Sequence, residues 1–498
     1  MQCIRVNPFT LIWVKKTLSI AAWFFAASSP SAYAIFGVTS QSAPQAGASY
    51  ARAERANDPA SSQTPAWGQV GALGYGYLSP GILKTGRVQS VFFGSGSDQG
   101  KWKTGIDYTY SVQGIVSTQG QFREASFWWE APEMAVGYKG FWLGRKTQTW
   151  SMTDDFWGMG LWQPRNRWDY LQVSPVGLMG AFAEIQTEDR FFSMTAYFSP
   201  IYVPERGPTV ALREGLFYPS NPWPGSPPAS IPLSSRDAAI VYQIQMPPLH
   251  QLLLNPGGAL QMKVQSSTGF WSSLSYAYKP INQVQLGYEG ILNLATYNAD
   301  ASIYPRVAYH HLATLEAGLR RNQISIWSTL TAEKPMDQKT PSWLTTPKLV
   351  PSTLFSSTAR VPLSGSVGRK SAIEVSYLKR FGDRGGDIGP WATPGQSVFE
   401  PRFLFQNAVA LGYRGYVPGF SENRVSSQIR WVESLSQPGS LLSAELAFRP
   451  TERFTWTLGT DLMGASSGST DPSQALAEDF MKRYQAYDRV YGGISYAL

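Results

Sequence analysis

The chain ends in an alternation of residue character that runs to its last position. Over 488–498, counting back by twos places Leu498, Tyr496, Ile494, Gly492 and Val490 on one face of an extended strand, and Ala497, Ser495, Gly493, Tyr491 and Arg489 on the other. One face suits an apolar medium and the other suits water. The same period of two recurs upstream. Phe454, Trp456, Leu458 and Leu462 alternate with Thr455, Thr457, Gly459 and Asp461, while Ile303, Val307, Tyr309, Leu315, Ala317 and Leu319 oppose Arg306, His310, Thr314, Glu316 and Arg320. Taken alone, each stretch fits either an edge strand of a soluble β protein or a strand of a membrane-spanning barrel.

The first residues bear on that choice. Arg5, Lys15 and Lys16 precede the apolar run 18–27, and Ala32-Tyr33-Ala34 follows Pro30. Basic, apolar and small-x-small regions in that order predict a secretory signal peptide over 1–34, cleaved after Ala34. The apolar run falls well short of the roughly 20 residues of a transmembrane helix. Cys3 is the only cysteine and lies in the removed segment, so the mature chain has neither disulfides nor thiolate metal ligands. An exported chain without disulfides needs another source of stability, and a closed hydrogen-bonded barrel is one.

Composition points the same way. Aromatic residues make up 14% of the chain, with 18 Trp and 46 Gly, yet the mean hydropathy is −0.20. A polar average with many aromatics suits strands that alternate lipid-facing and lumen-facing residues between aromatic girdles. Losing the leader takes the net charge from +8 to about +5, and no Lys/Arg block suggests nucleic-acid binding.

Beyond the leader, 35–64 is rich in Ala, Ser and Gln without periodicity and reads as a flexible periplasmic extension. The remainder, 65–498, reads as one transmembrane β-barrel. Strand-length alternation is found at 102–111, 122–130, 134–145, 178–188, 191–203, 238–246, 260–265, 270–279, 284–296, 303–319, 323–333, 353–361, 373–381, 403–416, 424–431, 441–448, 454–462 and the terminal strand. Two weaker candidates are the Gly-rich stretch 71–77 and the loosely alternating stretch 81–93. Setting that pair aside predicts an all-β, antiparallel up-and-down barrel of about 18 strands, within 16 to 20, because such barrels use even numbers.

Connection lengths supply a test independent of propensity, since bacterial barrels have short periplasmic turns and long extracellular loops. With the C-terminus periplasmic, the last loop, 383–402, 334–350, 204–237 and 147–176 fall outside, and 449–453, 320–322, 279–282 and 131–133 fall inside. No long connection lands on the short side.

A charge on the lipid face costs about 2–4 kcal/mol for Arg or Lys at the midplane, so charged members of each alternation should point inward. That rule assigns Lys263, Arg306, Arg320, Arg380, Arg414, Arg424, Arg430 and Arg489, with Glu289, Glu316, Glu374 and Glu445, to the lumen; Arg449 and Arg453 belong there or at the rim. Basic residues are the majority, which favours anionic or polar solutes; Arg–Glu pairs that merely brace the wall are the equally weighted alternative. The Pro-rich stretch 204–232, carrying Arg206, Arg213, Phe217 and Trp223, is the candidate constriction loop, although covering the outer mouth is the more frequent role of such a loop. In 150–169, Trp150, Trp157, Trp162 and Trp168 alternate with charges, which suits either sugar stacking or, more simply, anchoring by the outer leaflet.

Enzymatic signatures are sparse. His250, His310 and His311 are the three histidines, no HExxH occurs, and no Cys/His cluster suited to zinc or cofactor motif is present. His310 and His311 are consecutive on a strand and face opposite sides. Asp154-Asp155 reads as a solvated loop pair.

An alternating final strand flush with the C-terminus, a leader and long–short connections together resemble bacterial outer-membrane porin-like barrels. In that class the last strand usually ends in Phe or Trp and pairs with the first, whereas this chain ends in Leu498. By length, strand number and basic lumen the chain is similar to the alginate-export and substrate-specific porin families, with no signature residue deciding between them. The resemblance implies residence in the outer membrane, insertion by the barrel assembly machinery, contact with outer-membrane lipid and passage of small polar solutes, as a monomer or homotrimer. The expected function is a channel for passive or weakly selective diffusion of polar, anionic or saccharide solutes, not an enzyme. A surface receptor or adhesin acting through its loops is the alternative from another class, and a barrel hydrolase a more distant one.

Overall fold

The computed structural model describes residues 69–497 apart from short internal stretches, the longest being 383–402 and 466–479. The expected leader over 1–34, the expected extension over 35–64 and Leu498 lie outside the described residues. The main sheet contains 19 strand segments. Two of them, Thr85–Gln89 and Val91–Ser95, both pair with Trp102–Ser111 and make one broken strand. The wall thus has eighteen strands, one fewer than the segment count.

In chain order these are β1 (Gln69–Tyr77), β2 (the broken strand), β3 (Trp102–Ser111), β4 (Thr118–Met134), β5 (Gly137–Lys146), β6 (Leu178–Gln186), β7 (Phe192–Ser199), β8 (Gly257–Gln265) and β9 (Phe270–Pro280). The second half runs β10 (Tyr309–Arg321), β11 (Ile324–Pro335), β12 (Ser352–Pro362), β13 (Ala372–Phe381), β14 (Asn407–Tyr416), β15 (Val425–Ser434), β16 (Gly439–Phe448), β17 (Phe454–Ala465) and β18 (Arg489–Ala497). Each strand pairs antiparallel with the next, and β18 closes on β1, from Gln69 opposite Ala497 to Tyr77 opposite Arg489. Closure removes both sheet edges, so the wall pairs its backbone groups without water.

Burial runs opposite to that of a soluble sheet. On β11, Ile326 is 50% and Leu330 47% exposed, whereas Thr329, Thr331 and Glu333 are buried. On β17, Trp456 and Leu458 face out while Thr455, Thr457 and Asp461 are buried. On β18, Val490, Ile494 and Tyr496 face out, and Arg489, Tyr491 and Ser495 face in. Apolar residues outside and polar residues inside are stable when hydrocarbon surrounds the wall.

Short connections at 187–191, 266–269, 322–323 and 449–453 lie at the rim that holds both ends of the wall, and long ones at 147–177, 200–256, 281–308 and 336–351 lie at the other. By the rule for such barrels the loop rim is extracellular.

The strand number agrees with the sequence expectation, but the membership differs. The two weaker candidates that were set aside are β1 and β2, and closure requires both. The stretches 238–246 and 284–296 are not wall strands, nor is the first part of 303–319. They belong to a four-stranded cap sheet at the loop rim, built from Ser230–Pro232, Asp237–Ile244, Asn298–Arg306 and Gln285–Asn293. Asp237–Ile244 runs parallel to Asn298–Arg306, unlike any pairing in the wall. Ile240, Tyr242, Ala299, Ala301 and Ile303 form the cap's own core. Residues 279–282, expected as a turn at the periplasmic rim, accordingly lie at the loop rim. A strand with one buried face shows the same alternation whether that face meets lipid or a small protein core.

Candidate functional site, a loop fastened inside the barrel

The connection 147–177 folds into the barrel instead of standing above it. Its first turn is the helix α1 (Met152–Trp157), whose N-cap Ser151 accepts a hydrogen bond from the Asp154 N–H at 3.2 Å. Gly158 ends the helix in the left-handed region, with φ of 63°, where a Cβ would also come within 2.7 Å of Val173. The loop then organises itself around buried charge. Asp154 accepts from the backbone N–H of Leu161 at 3.0 Å and Trp162 at 3.1 Å. Arg165 donates to Asp155 at 2.7 Å and to the Asp154 carbonyl at 3.0 Å. Arg167 pairs with Glu205 and donates to the Met159 carbonyl at 2.6 Å.

Three groups of contacts fix the loop to the wall. On β8 to β11, Glu316 accepts from the Ser151 hydroxyl at 2.9 Å and the Met152 N–H at 2.8 Å, so a wall carboxylate caps the helix start. Trp162 donates its indole N–H to Thr314 at 3.0 Å and stacks on Trp150, with centroids 5.5 Å apart and planes 9° from parallel. Gln261 and Ser275 both donate to the Trp150 carbonyl.

About a quarter of the way round the ring, Arg430 of β15 donates to the Phe156 carbonyl at 3.2 Å and lies over the rings of Phe156 and Trp157. Arg489 of β18 holds Asp169 of the loop and Asp461 of β17, each at 2.7 Å. Tyr75 of β1 donates to Gln172 at 2.7 Å. In an eighteen-strand ring β10 and β1 are nine strands apart, so a loop that touches both spans the bore.

Burial pushes the Asp155 carboxyl up to about 6, the nearby Arg165 pulling the other way. The reading of Asp154-Asp155 as a solvated pair is thus corrected, since both are buried in the loop's interior. The tryptophan readings change as well. Trp150, Trp157 and Trp162 are buried inside the barrel and anchor the loop, not the outer leaflet. Trp168 lies outside the described residues.

The sequence-assigned lumen residues divide into three groups. Lys263, Arg320, Arg380, Arg414, Arg430, Arg489, Glu316, Glu374 and Glu445 stand on inward positions of their strands. Several are paired: Arg414 with Gln428 at 3.3 Å, Arg380 with Gln406 at 3.0 Å, Glu374 with Arg360 at 3.4 Å and Glu445 with the Tyr491 hydroxyl at 3.1 Å. Arg424 is exposed at the turn rim just ahead of β15, and Arg449 and Arg453 flank the turn between β16 and β17. Arg306 and Glu289 are not in the lumen wall at all; they lie in the cap sheet, where Glu289 accepts from Tyr304 at 3.0 Å.

The four residues of the expected constriction loop divide between the cap and the interior. Arg213 is exposed on a hairpin of Val210–Arg213 and Leu216–Pro219, and Phe217 packs on Tyr242 of the cap, centroids 5.0 Å apart. Arg206 accepts from the Arg167 N–H through its carbonyl, and Trp223 alone of the four is fully buried, beside Tyr170, Tyr484 and Arg489. The connection that spans the bore is 147–177. Gln261 and Ser275 carried no signal of their own in the sequence. The available signal was that 147–170 breaks alternation while being too rich in Trp for a solvated loop.

A closed wall with an apolar exterior, a polar interior and a loop pinned across the bore defines a porin-like β-barrel. No protein-family model matches the chain, and no curated protein matches it. Among solved structures the chain is similar to OccK10 (OpdN) of Pseudomonas aeruginosa, with 12% identity, 86% of this chain and 98% of that chain covered, and a TM-score of 0.42. OccK2 (OpdF) of the same organism gives 10% identity, 86% and 95% coverage, and a TM-score of 0.42. A loop L8 deletion mutant of OmpT, an outer membrane protein of Vibrio cholerae, gives 8% identity, 86% and 97% coverage, and a TM-score of 0.34. Identities this low carry no solute or residue role to this chain.

Proposed function

We propose that the protein is an outer-membrane channel through which small polar solutes diffuse past the loop 147–177. The observation that carries this reading is the loop itself, pinned to opposite sides of the bore by Glu316 and Arg489, with Arg430 between them. Such fastening narrows a bore that eighteen strands leave wider than their own side chains can fill.

The polar lining supports weak selectivity for anionic or saccharide solutes. Lys263 and Arg320 are exposed on the inward face near the turn rim, and Arg360, Arg380, Arg414 and Arg430 stand on consecutive or nearby strands β12 to β15. Glu316, Glu333, Glu374, Glu445 and Asp461 offset part of that charge. A residual positive field along β12 to β15 would raise the local concentration of anions, as charge rings of that sign do.

Planar-bilayer recording of the purified protein in a salt gradient tests both parts. Stepwise conductance with an anion-selective reversal potential is expected. Silence at high protein would sink the channel and favour a receptor with a closed lumen, whereas a cation-selective potential would sink only the assignment of the lining.

A further inference from the structure

His310 and His311 divide between the two surfaces of β10. His310 points inward and pairs with Glu333. His311 points out, into a cluster that the channel reading leaves unused. Its Nδ1 meets the Tyr276 hydroxyl at 2.8 Å, and its ring lies 5.0 Å from that of Tyr278, which stacks on Tyr309 with centroids 5.3 Å apart. Lys334 of β11 is directly opposite His311 in the strand register and is exposed on the same outward face. Directly opposite side chains on one face of an antiparallel pair are neighbours.

The position of this cluster sets what can cover it. It lies within three residues of the loop-rim ends of β10 and β11, above an outward apolar band that includes Leu274, Leu315 and Leu330. Tyrosines at that level mark the membrane–water interface. A lysine pointing outward is costly within hydrocarbon and tolerated at headgroup depth. The outward positions of β9, β10 and β11 carry no carboxylate that could neutralise it. What they offer is an ammonium, an imidazole and phenol hydroxyls, a donor set that matches a phosphate monoester. Next to it, Tyr309 donates to Asn255 at 3.3 Å and holds the segment 246–254 beside the cluster, with Met246, Leu249 and Leu254 exposed.

We propose that this face of β9 to β11 binds a phosphorylated glycolipid headgroup of the surrounding leaflet, with Lys334 and His311 on the phosphate and the tyrosines on the adjoining sugar. The apolar band directly below continues the same surface and takes the acyl chains, which is why the ligand is a lipid and not free phosphate. A second copy of the chain is disfavoured by charge, since the arc would place Lys334 against apolar surface.

Native mass spectrometry of the full mature protein in detergent tests this, with diphosphorylated lipid A as the probe and its dephosphorylated form and inorganic phosphate as comparisons. The phosphorylated lipid is expected to bind and the other two to bind at least about fivefold more weakly, the factor for one lysine beside an anionic surface. Lys334→Gln and His311→Gln should each lose about that factor while keeping the heat-dependent gel shift of a folded barrel. Lys379→Gln is the control, because Lys379 is an outward lysine at the same rim whose ammonium lies over Phe381. Equal binding of the dephosphorylated lipid, or equal loss in all three variants, would overturn the proposal, as would a protein dimer that excludes lipid and is broken by Lys334→Gln.

Discussion

Arg489 shows how far the surroundings of one residue alter its role. Its strand position places it inward, and at a basic lumen it would set ion preference. In the structure it is fully buried between Asp169 and Asp461 and lies over the rings of Tyr75 and Trp223. Removing one member of a buried ion pair leaves uncompensated charge and typically costs about 3–5 kcal/mol. Arg489→Ser is therefore expected to lower the urea midpoint of the folded barrel and to add loop-derived noise to single channels, not simply to shift selectivity. Combining it with Asp169→Asn and Asp461→Asn should recover much of the loss; no recovery would show that Arg489 acts through packing instead. Glu316→Gln is a milder change, because the amide still accepts hydrogen bonds at the helix start. A loss of about 1 kcal/mol is expected in the same measurement.

At the scale of the element, the loop 147–177 depends on protonation as well as on contacts. The buried Asp155 carboxyl titrates near 6 in place, above its ordinary value of about 4. Between those values the fastened loop holds a proton that a released loop gives up. The contribution is full at the acid end and is lost as pH rises through about 6. Channel noise is expected to increase from pH 4.5 to 7 in the parent protein and to be flat with pH in Asp155→Asn. A parallel rise in both would exclude Asp155 as the source. Gly158→Ala tests the helix end, since a left-handed residue with a Cβ costs about 1–2 kcal/mol and here also meets Val173.

For the whole molecule, the wall is set by the medium around it. Leu458 is 58% exposed and faces outward from the middle of β17. Leu458→Arg should cost about 2–4 kcal/mol at the midplane and less toward either rim. Reduced recovery of heat-modifiable protein from membranes checks this, and full recovery would argue that the outward face does not meet hydrocarbon.

The alternation that ends in β18 was enough to establish the class of fold, the inward and outward faces of β10, β17 and β18 and the side on which long loops lie. These are properties of single strands, and the penalty for placing the wrong face in lipid is written into every second residue. Which alternating stretches enter the wall was not legible in the same way. β1 and β2 are weak as sequence, yet they are required because β18 has to pair with something. The strands at 237–244 and 285–293 alternate well, yet they close a small core of their own above the rim. The choice of loop was equally hidden: 204–232 carries the more rigid composition, but 147–177 has the buried partners. Fastening that loop depends on Glu316, Arg430 and Arg489, which come from three distant strands and meet it only once the barrel has closed. Strand faces follow from the local contest between water and hydrocarbon, whereas closure and the loop across the bore depend on pairings between residues hundreds of positions apart, and the cap on pairings across about 60.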